Sequence, residues 1–226
     1  MGHRIQPPLP ALTGLISEGK FLKEWEKIRC DAKVTLYANG KTAASDMGEI
    51  QLTAKGVSGI CVFNVSALAS KHLHQGNRVE LTINFMPHLE EGVYGWLEER
   101  CRTLSDMTLE EALESVFHYK LLFVLLKKAK TDRSARWKEM NETQRKVLCD
   151  AIERFRIPIL DTESYDKAQV CTGGVSMQDI DPETMASTII SDVYFAGEIL
   201  DVDGRCGGFN LAFAFVSGYI AGRSVS

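Results

Sequence analysis

The chain has 226 residues, 45% hydrophobic and 25% charged, the balance of an ordinary globular protein with length for one large domain or two small ones. Its 26 basic and 30 acidic side chains leave a net charge of −4, which argues against nucleic acid or an anionic membrane as the main partner. No apolar run reaches the roughly 18 residues of a membrane span and no secretory leader opens the chain, so a cytoplasmic protein is expected.

The elements follow in chain order. Pro7, Pro8 and Pro10 force the first 13 residues into an extended path and forbid a helix. Phe21, Leu22, Trp25 and Ile28 fall at helical spacing, predicting one short amphipathic turn or helix within 17–28. Ala32, Val34, Leu36 and Ala38 alternate with polar neighbours as in a half-buried strand, and Asn39-Gly40 predicts a type I′ hairpin into a second strand over 49–53. Gly56 to Gly59 break the pattern, with Ser58 a candidate N-cap. Val62, Val65, Ala69 and Leu73 then predict a helix over 60–73, and Val79, Leu81, Ile83 and Phe85 another strand, ended by Pro87.

Residues 89–155 change character. The stretches 89–104, 108–128 and 143–155 have apolar positions three and four apart, and Thr108-Leu109-Glu110-Glu111 reads as a capping box. A small helical bundle is expected. The basic run Lys127, Lys128, Lys130, Arg133 and Arg136 reads as a solvated helix end ahead of an anion site. From Ile157 the pattern returns to α/β, with a short strand over 167–172 ending in Gly173-Gly174 and a turn or helix start at Asp181-Pro182.

The stretch from Asp192 to Gly222 has the most to say about chemistry. It reads as a short buried strand at Val193–Ala196, then Gly197-Glu198, an acid- and glycine-rich loop, and a helix from about Phe209 that is apolar on all sides and therefore expected to be buried. Glu198, at the end of a strand, suits hydrogen bonds from sugar or ribityl hydroxyls. Gly207 and Gly208 let the backbone approach a ring or phosphate closely, and a helix N-terminus favours negative charge. An ordinary buried terminal helix behind a glycine loop is the competing reading, and patterning alone does not separate the two.

Other constellations are absent. The six cysteines form no CxxC pair and lie near no His at ligand spacing, so they read as reduced, partly buried thiols. Asp201 and Asp203 lack the rest of an EF-hand loop. His72, His74, His88 and His118 have no partner by spacing, and no G-x-G-x-x-G opens a βαβ unit. No residue stands out as a general acid or base, so the catalytic residues are unknown at this stage.

The segment Tyr194 to Glu198, Leu200 to Gly204 and Gly207-Gly208-Phe209-Asn210-Leu211 resembles the C-terminal signature of the HI0933-like (BaiN-type) family of NAD(P)/FAD-dependent oxidoreductases. Further blocks match in the family's order: Gly2-His3 with Pro7 to Leu12, Gly48 to Thr53, Gly56 to Gly59, Thr172 to Val175, and Asp181 to Met185 with Ser187. The resemblance implies an α/β plus α+β architecture: the C-terminal part of a split, Rossmann-like FAD-binding domain with a β-rich domain and a helical subdomain inserted. Residues 1–13 would lead in from the FAD domain. Residues 14–88 would be the β-rich substrate domain, 89–157 the helical subdomain, and 158–226 the returning part of the FAD domain.

It further implies FAD as cofactor, a small-molecule substrate and NAD(P)H as donor, with neither nucleic acid nor membrane as partner. Gly197, Glu198, Gly207, Gly208, Phe209, Asn210 and Leu211, with the Thr172, Gly173 and Gly174 turn, would line the cofactor. The family's G-x-G-x-x-G turn would precede the part matched by Met1, leaving an incomplete site that is inactive alone and an exposed sheet edge prone to self-association. This chain departs from the family at Ala212, Phe213, Phe215 and Val216, where polar or indole side chains are usual. A flavoenzyme fragment is therefore set beside two alternatives: a non-enzymatic remnant serving as a binding module, and a split enzyme completed by a separate N-terminal half.

Overall fold

A computed structural model describes residues 2–89 and 91–225. Met1, Glu90 and Ser226, which fall in the expected lead-in, first bundle helix and C-terminal part, lie outside the described residues. The strands are β1 (Ile5–Ala11), β2 (Leu15–Ile16), β3 (Ile28–Ala38), β4 (Lys41–Thr53), β5 (Gly56–Ser58), β6 (Val79–Asn84), β7 (Phe155–Ile159), β8 (Asp161–Thr162) and β9 (Val170–Val175). The helices are α1 (Phe21–Glu24), α2 (Ile60–His74), α3 (Val93–Thr103), α4 (Leu109–Leu113), α5 (Tyr119–Lys128), α6 (Glu142–Glu153) and α7 (Phe209–Ser224).

Seven strands form one antiparallel sheet in the order β7-β6-β3-β4-β5-β2-β8. Its two outer strands, β7 and β8, are separated in the chain by Leu160 alone. A sheet whose edges are consecutive pieces of one segment has to curl until they meet, which makes a barrel. The Leu160 N–H donates to the Ile16 carbonyl at 2.9 Å and the Ser17 hydroxyl to the Pro158 carbonyl at 2.6 Å across that seam. β7 runs through the expected limit at 157/158 and belongs to the barrel ladder.

The alternating pattern of the strands is realised inside the barrel, where Val34, Leu36, Ile50, Leu52, Leu81 and Ile83 have no exposed surface. Both Asn39 and Gly40 have positive φ, 49° and 78°, as a type I′ hairpin requires. α2 covers one side through Val62, Val65 and Ala69. Gly59, and not Ser58, takes its N-cap position without a side-chain cap, because Ser58 is still paired with Gln51 in the ladder. The expected turn over 17–28 is the single turn α1. It delivers Phe21 and Trp25 to Phe155, with ring centroids 5.4 and 5.2 Å away, and Trp25 is fully buried.

The helices α3 to α6 pack on the barrel through the same apolar core. The Thr108–Glu111 capping box forms, and a second one, Asn141–Gln144, opens α6. The helix expected over 108–128 is instead broken between α4 and α5. There the His118 ring accepts the Lys120 N–H at 3.3 Å, a local bond that competes with helical continuation, while Phe117 is buried. Two of the basic run pair with carboxylates, Lys127 with Glu24 at 2.5 Å and Arg133 with Glu110, and Lys128 lies 5.2 Å over the Phe155 ring.

Beyond the barrel, β1 and β9 form a two-stranded antiparallel ribbon whose register slips at Pro7-Pro8, which have no N–H for the ladder. The expected strand over 167–172 lies further on, at β9, and contains both glycines. Val193–Ala196 is a correction to the expected buried strand. It is a half-buried extended segment with one bridge, Tyr194 to Ala186, because no neighbouring strand among the described residues offers a ladder. The only parallel contact among the described residues is the single bridge Val175–Leu200. Asp181 to Met185 makes a turn, with the Glu183 N–H on the Asp181 carboxylate at 2.9 Å. A small core of Val175, Ile180, Met185, Leu200 and Ala221 holds this part together.

Arg4 anchors the ribbon. Its backbone N–H and guanidinium Nε donate to Asp179 at 2.7 and 3.0 Å, and these bonds hold the Asp179 carboxyl below the usual carboxylate range. A depressed carboxyl contributes stability that is present above its unfolded value, about 4, and lost as pH falls through the folded one. Thermal melting of Asp179→Asn should therefore depend less on pH below about 4 than that of the wild type. Trp25→Ala should cost about 3–5 kcal/mol, read from the urea midpoint, because the aromatic cluster cannot close over the void.

Candidate functional site

A cavity of about 320 Å³ opens between the start of β9, the turn at Gly197–Ile199, the loop 203–208 and the first turn of α7. Glu198, Gly207, Gly208, Asn210 and Leu211 line it, together with Cys206. Five of the ten residues expected at a cofactor thus come together here. Gly197, Phe209, Thr172, Gly173 and Gly174 do not line the cavity.

Each of those five has a placement with a physical cause. Gly197, at φ 72°, makes the turn that aims Glu198, and its N–H donates to the Ser217 hydroxyl at 2.9 Å. Ser217 is buried in α7, and its hydroxyl donates to the Phe213 carbonyl at 2.6 Å. Thr172 is fully buried, its hydroxyl on Asp203 at 2.5 Å. Gly173 and Gly174 allow close approach of the chain's own backbone. A Cβ on Gly173 would sit 2.3 Å from the Pro7 carbonyl oxygen, and one on Gly174 2.4 Å from that of Ile199. These three stand behind the cavity and support it. Phe209 is 62% exposed at the outer side of α7.

Within the cavity, Glu198 accepts the Cys171 N–H at 2.5 Å through one carboxylate oxygen. Asn210 is committed to the loop: it accepts the Gly204 N–H at 2.8 Å and donates to the Gly204 carbonyl at 3.0 Å. Gly208 is the N-cap of α7 at φ 89°, and no side chain caps that end. A Cβ added to Gly208 would meet nothing within 4 Å. The first N–H groups of the 16-residue helix therefore have neither an intrahelical acceptor nor a side-chain cap. Such an end stabilises an anion or the carbonyl edge of a planar ring, so the residues present fit one side of a flavin. Among the described residues no three metal-ligating side chains cluster.

α7 corrects a second expectation. It is not buried: Leu211, Phe215, Val216 and Tyr219 are 66, 76, 57 and 64% exposed, and only Ser217 and Ala221 are fully covered. The described residues offer one side for it to lie on, the Gly197 turn and the small core, and nothing on the other. Ile189 and Ile199 are exposed in the same half of the chain, and Ile5, which β1 pairs with Val175, is exposed as well. Ser217 was missed in the sequence because a hydroxyl in an apolar helix has no signature until its partner is known.

Three of the five histidines have other duties. His3 meets the Ser187 hydroxyl at 2.7 Å, His72 meets Asn77 at 3.1 Å, and His118 caps α5. All six cysteines are free thiols. Burial, then nearby carboxylates, pushes Cys61 and Cys149 up to about 12 and Cys30 to about 11. Cys171 and Cys206 are raised by burial as well, so none is a ready thiolate. A thiol reagent at pH 8 should modify the half-buried Cys171 and Cys206 first, and Cys61 and Cys149 only after urea unfolding. Mass mapping of the labelled peptides checks the order.

Residues 9–170 match the model of the HI0933-like protein barrel and H2TH domain. A 3-dehydro-bile acid delta(4,6)-reductase of Clostridium scindens is 35% identical over 231 aligned residues, covering all of this chain and 56% of the reductase. A ribosomal RNA dihydrouridine synthase of Haemophilus influenzae is 41% identical over 81 residues, covering 36% of this chain and 20% of the synthase. The synthase of the same name from Escherichia coli is 26% identical over 173 residues, covering 76% and 41%. The chain thus spans about half, or less, of the length of these curated relatives.

Proposed function

This chain belongs to the HI0933-like family, and from that premise we propose that it supplies the barrel, the helical part and one side of the cofactor site of an FAD-dependent oxidoreductase. The substrate class is a small organic molecule with a carbon–carbon double bond conjugated to a carbonyl. The observation that carries this reading is the uncapped end of α7, open at Gly208 beside the Glu198 carboxylate. In the same reading, residues 1–13 and 158–226 are the FAD-domain part, and 14–88 and 89–157 are the inserted β-rich and helical parts.

Glu198 would hold hydroxyls of the ribityl or pyrophosphate region. The backbone from Gly207 to Leu211 would lie along the ring system, with the α7 end opposite its carbonyl edge, where negative charge is favoured. FAD, when bound, supplies hydride chemistry at its N5, refilled from a nicotinamide. This chain's own share is to orient the ring, neutralise charge at the helix end and exclude water with the apolar side chains of α7. No side chain in the cavity is assigned as proton donor.

The relatives' names support the substrate class. A delta(4,6) double bond in a 3-dehydro bile acid is conjugated to the 3-carbonyl. Dihydrouridine differs from uridine by hydrogen across a double bond next to a carbonyl. Both reductions add a hydride to one carbon of an activated double bond and a proton to the other. The small molecule is favoured over RNA because the chain's net charge is −4 and, of the basic run, Lys127 and Arg133 are paired with Glu24 and Glu110.

The uncovered face of α7, with Phe215, Val216 and Tyr219, is where the remainder of an FAD domain would pack, in the same polypeptide or another. Left bare, a patch of this kind favours self-association. The reduced thiols suit a cytoplasmic setting.

Titration of the purified chain with FAD, followed by flavin absorbance and fluorescence, tests the proposal. Binding should shift the flavin band. Gly208→Ala should weaken it about tenfold, because a methyl group enters the open space at the helix end. A chain that leaves flavin spectra unchanged would exclude FAD binding by this part alone and favour either a non-enzymatic interaction module or a site completed by a separate N-terminal half.

A further inference from the structure

The loop that faces the cavity is not held by its own half of the chain alone. Asn64 and Lys71 lie seven residues apart on α2, two turns, and so share a face. The Asn64 side-chain oxygen accepts the Cys206 N–H at 2.9 Å, and its NH₂ donates to Asp46 of β4 at 2.7 Å. Asp46 in turn pairs with the Arg205 guanidinium. At the other end of the loop, Asp203 accepts the Thr172 hydroxyl and stands 3.7 Å from the Lys71 ammonium. Residues 203–206 are thus gripped at both ends by side chains of α2, β4 and β9, and Asn210 holds Gly204 from within.

Gly207 and Gly208 follow directly. They have φ of 127° and 89°, and glycines are the residues with the most conformations to lose. Their N–H groups are useful to a ligand only if the preceding residues fix where they point. An isolated exposed ion pair would be too weak for that task, and Arg205 is 64% exposed. Asp46 is only 15% exposed, however, and bonds to both Arg205 and Asn64. Burial pushes its carboxyl up, but the bonds from Asn64, Arg205 and the Met47 backbone outweigh that and leave it below the usual range. The charge that anchors the loop is therefore present at neutral pH, with charge-assisted bonds on it.

We propose that Asp46 and Asn64 of the barrel part are positioning residues for the ligand-facing loop. They touch no ligand themselves, yet they set the direction of the Gly207 and Gly208 amides. The identity of the ligand rests on the flavin reading above, whereas the grip belongs to this chain with or without it. Two consequences differ from those of a merely structural contact. Loosening the grip mobilises residues 203–208 and leaves the barrel strands as they are. It also weakens ligand binding without a matching loss of melting temperature.

Hydrogen exchange on the free chain, read by mass spectrometry, and FAD titration test this together. Asn64→Ala and Arg205→Ala should each raise exchange of the 203–208 peptide about tenfold, the scale of one hydrogen bond to a charged group. Exchange in β3 and β4 should stay at the wild-type rate. The two changes together should do little more than either alone, because they release the same loop. Arg205→Lys should restore most of the protection. FAD affinity should fall about tenfold in the Ala variants. Unchanged exchange at 203–208, or a rise spread equally over β3 and β4, overturns the proposal. If Asn64→Ala fails to fold, Arg205→Ala, at an exposed side chain, decides. If the wild type alone binds no FAD, one side of the site does not suffice for the cofactor, and the exchange result still decides for or against the grip.

Discussion

The constraint on which the rest depends is the closure of the barrel by a single segment. Residues 155–162 pair with β6 on one side, as β7, and with β2 on the other, as β8. Once both ladders are made, the sheet has no long free edge to template aggregation. Its interior is fixed by the alternating apolar residues of β3, β4 and β6. The same closure sets the path into and out of the barrel. β2 and β8 are hydrogen-bonded to one another, and so are β1 and β9 just beyond them. Incoming and outgoing chain run side by side as a paired neck. That neck explains why Gly173 and Gly174 have no side chain: β1 and the Gly197 turn approach them too closely.

From the neck the part around the cavity is built with little material. Its core is five fully buried apolar residues, against the large cluster under the barrel. A core of that size cannot hold a glycine loop still by itself. The loop borrows rigidity from its neighbours: Asn64, Lys71 and Asp46 on the barrel side, Thr172 on the ribbon, and Ser217 under the Gly197 turn. The free N–H groups at the start of α7 are then presented in a defined direction, which a mobile loop could not achieve.

Much of this was legible in the residues. Period-2 alternation in 32–38 and 79–85 is the signature of a strand with one face on the core, and both strands form. Asn39-Gly40 has the two residues that tolerate positive φ, and the hairpin follows. The Thr108–Glu111 box is a local motif whose partners lie three residues apart, so it needs no tertiary information. The break before α5 was not legible, because it depends on how Phe117 is drawn into the core and on the His118 ring taking a helical N–H. Val193–Ala196 misled for the opposite reason. Its apolar composition suits a strand, but a strand exists only with neighbours to bond.

Glu198, Gly207 and Gly208 were marked by residue type and spacing, Asn210 and Leu211 by the family resemblance, and the five meet at one cavity. Thr172, Gly173 and Gly174 were marked by the resemblance alone and do not line it, since a glycine is required equally for a ligand's approach and for the chain's own. The sequence by itself determined the local elements: strand faces, the hairpin, the capping boxes and a glycine loop that opens an apolar helix. These depend on contacts a few residues apart. Tertiary structure alone decided what those elements are used for. It showed that α7 is bare on one side, that Asn210 serves the loop, and that side chains of the barrel hold residues 203–206. Such outcomes turn on which surfaces meet across the fold, and no periodicity along a chain records that.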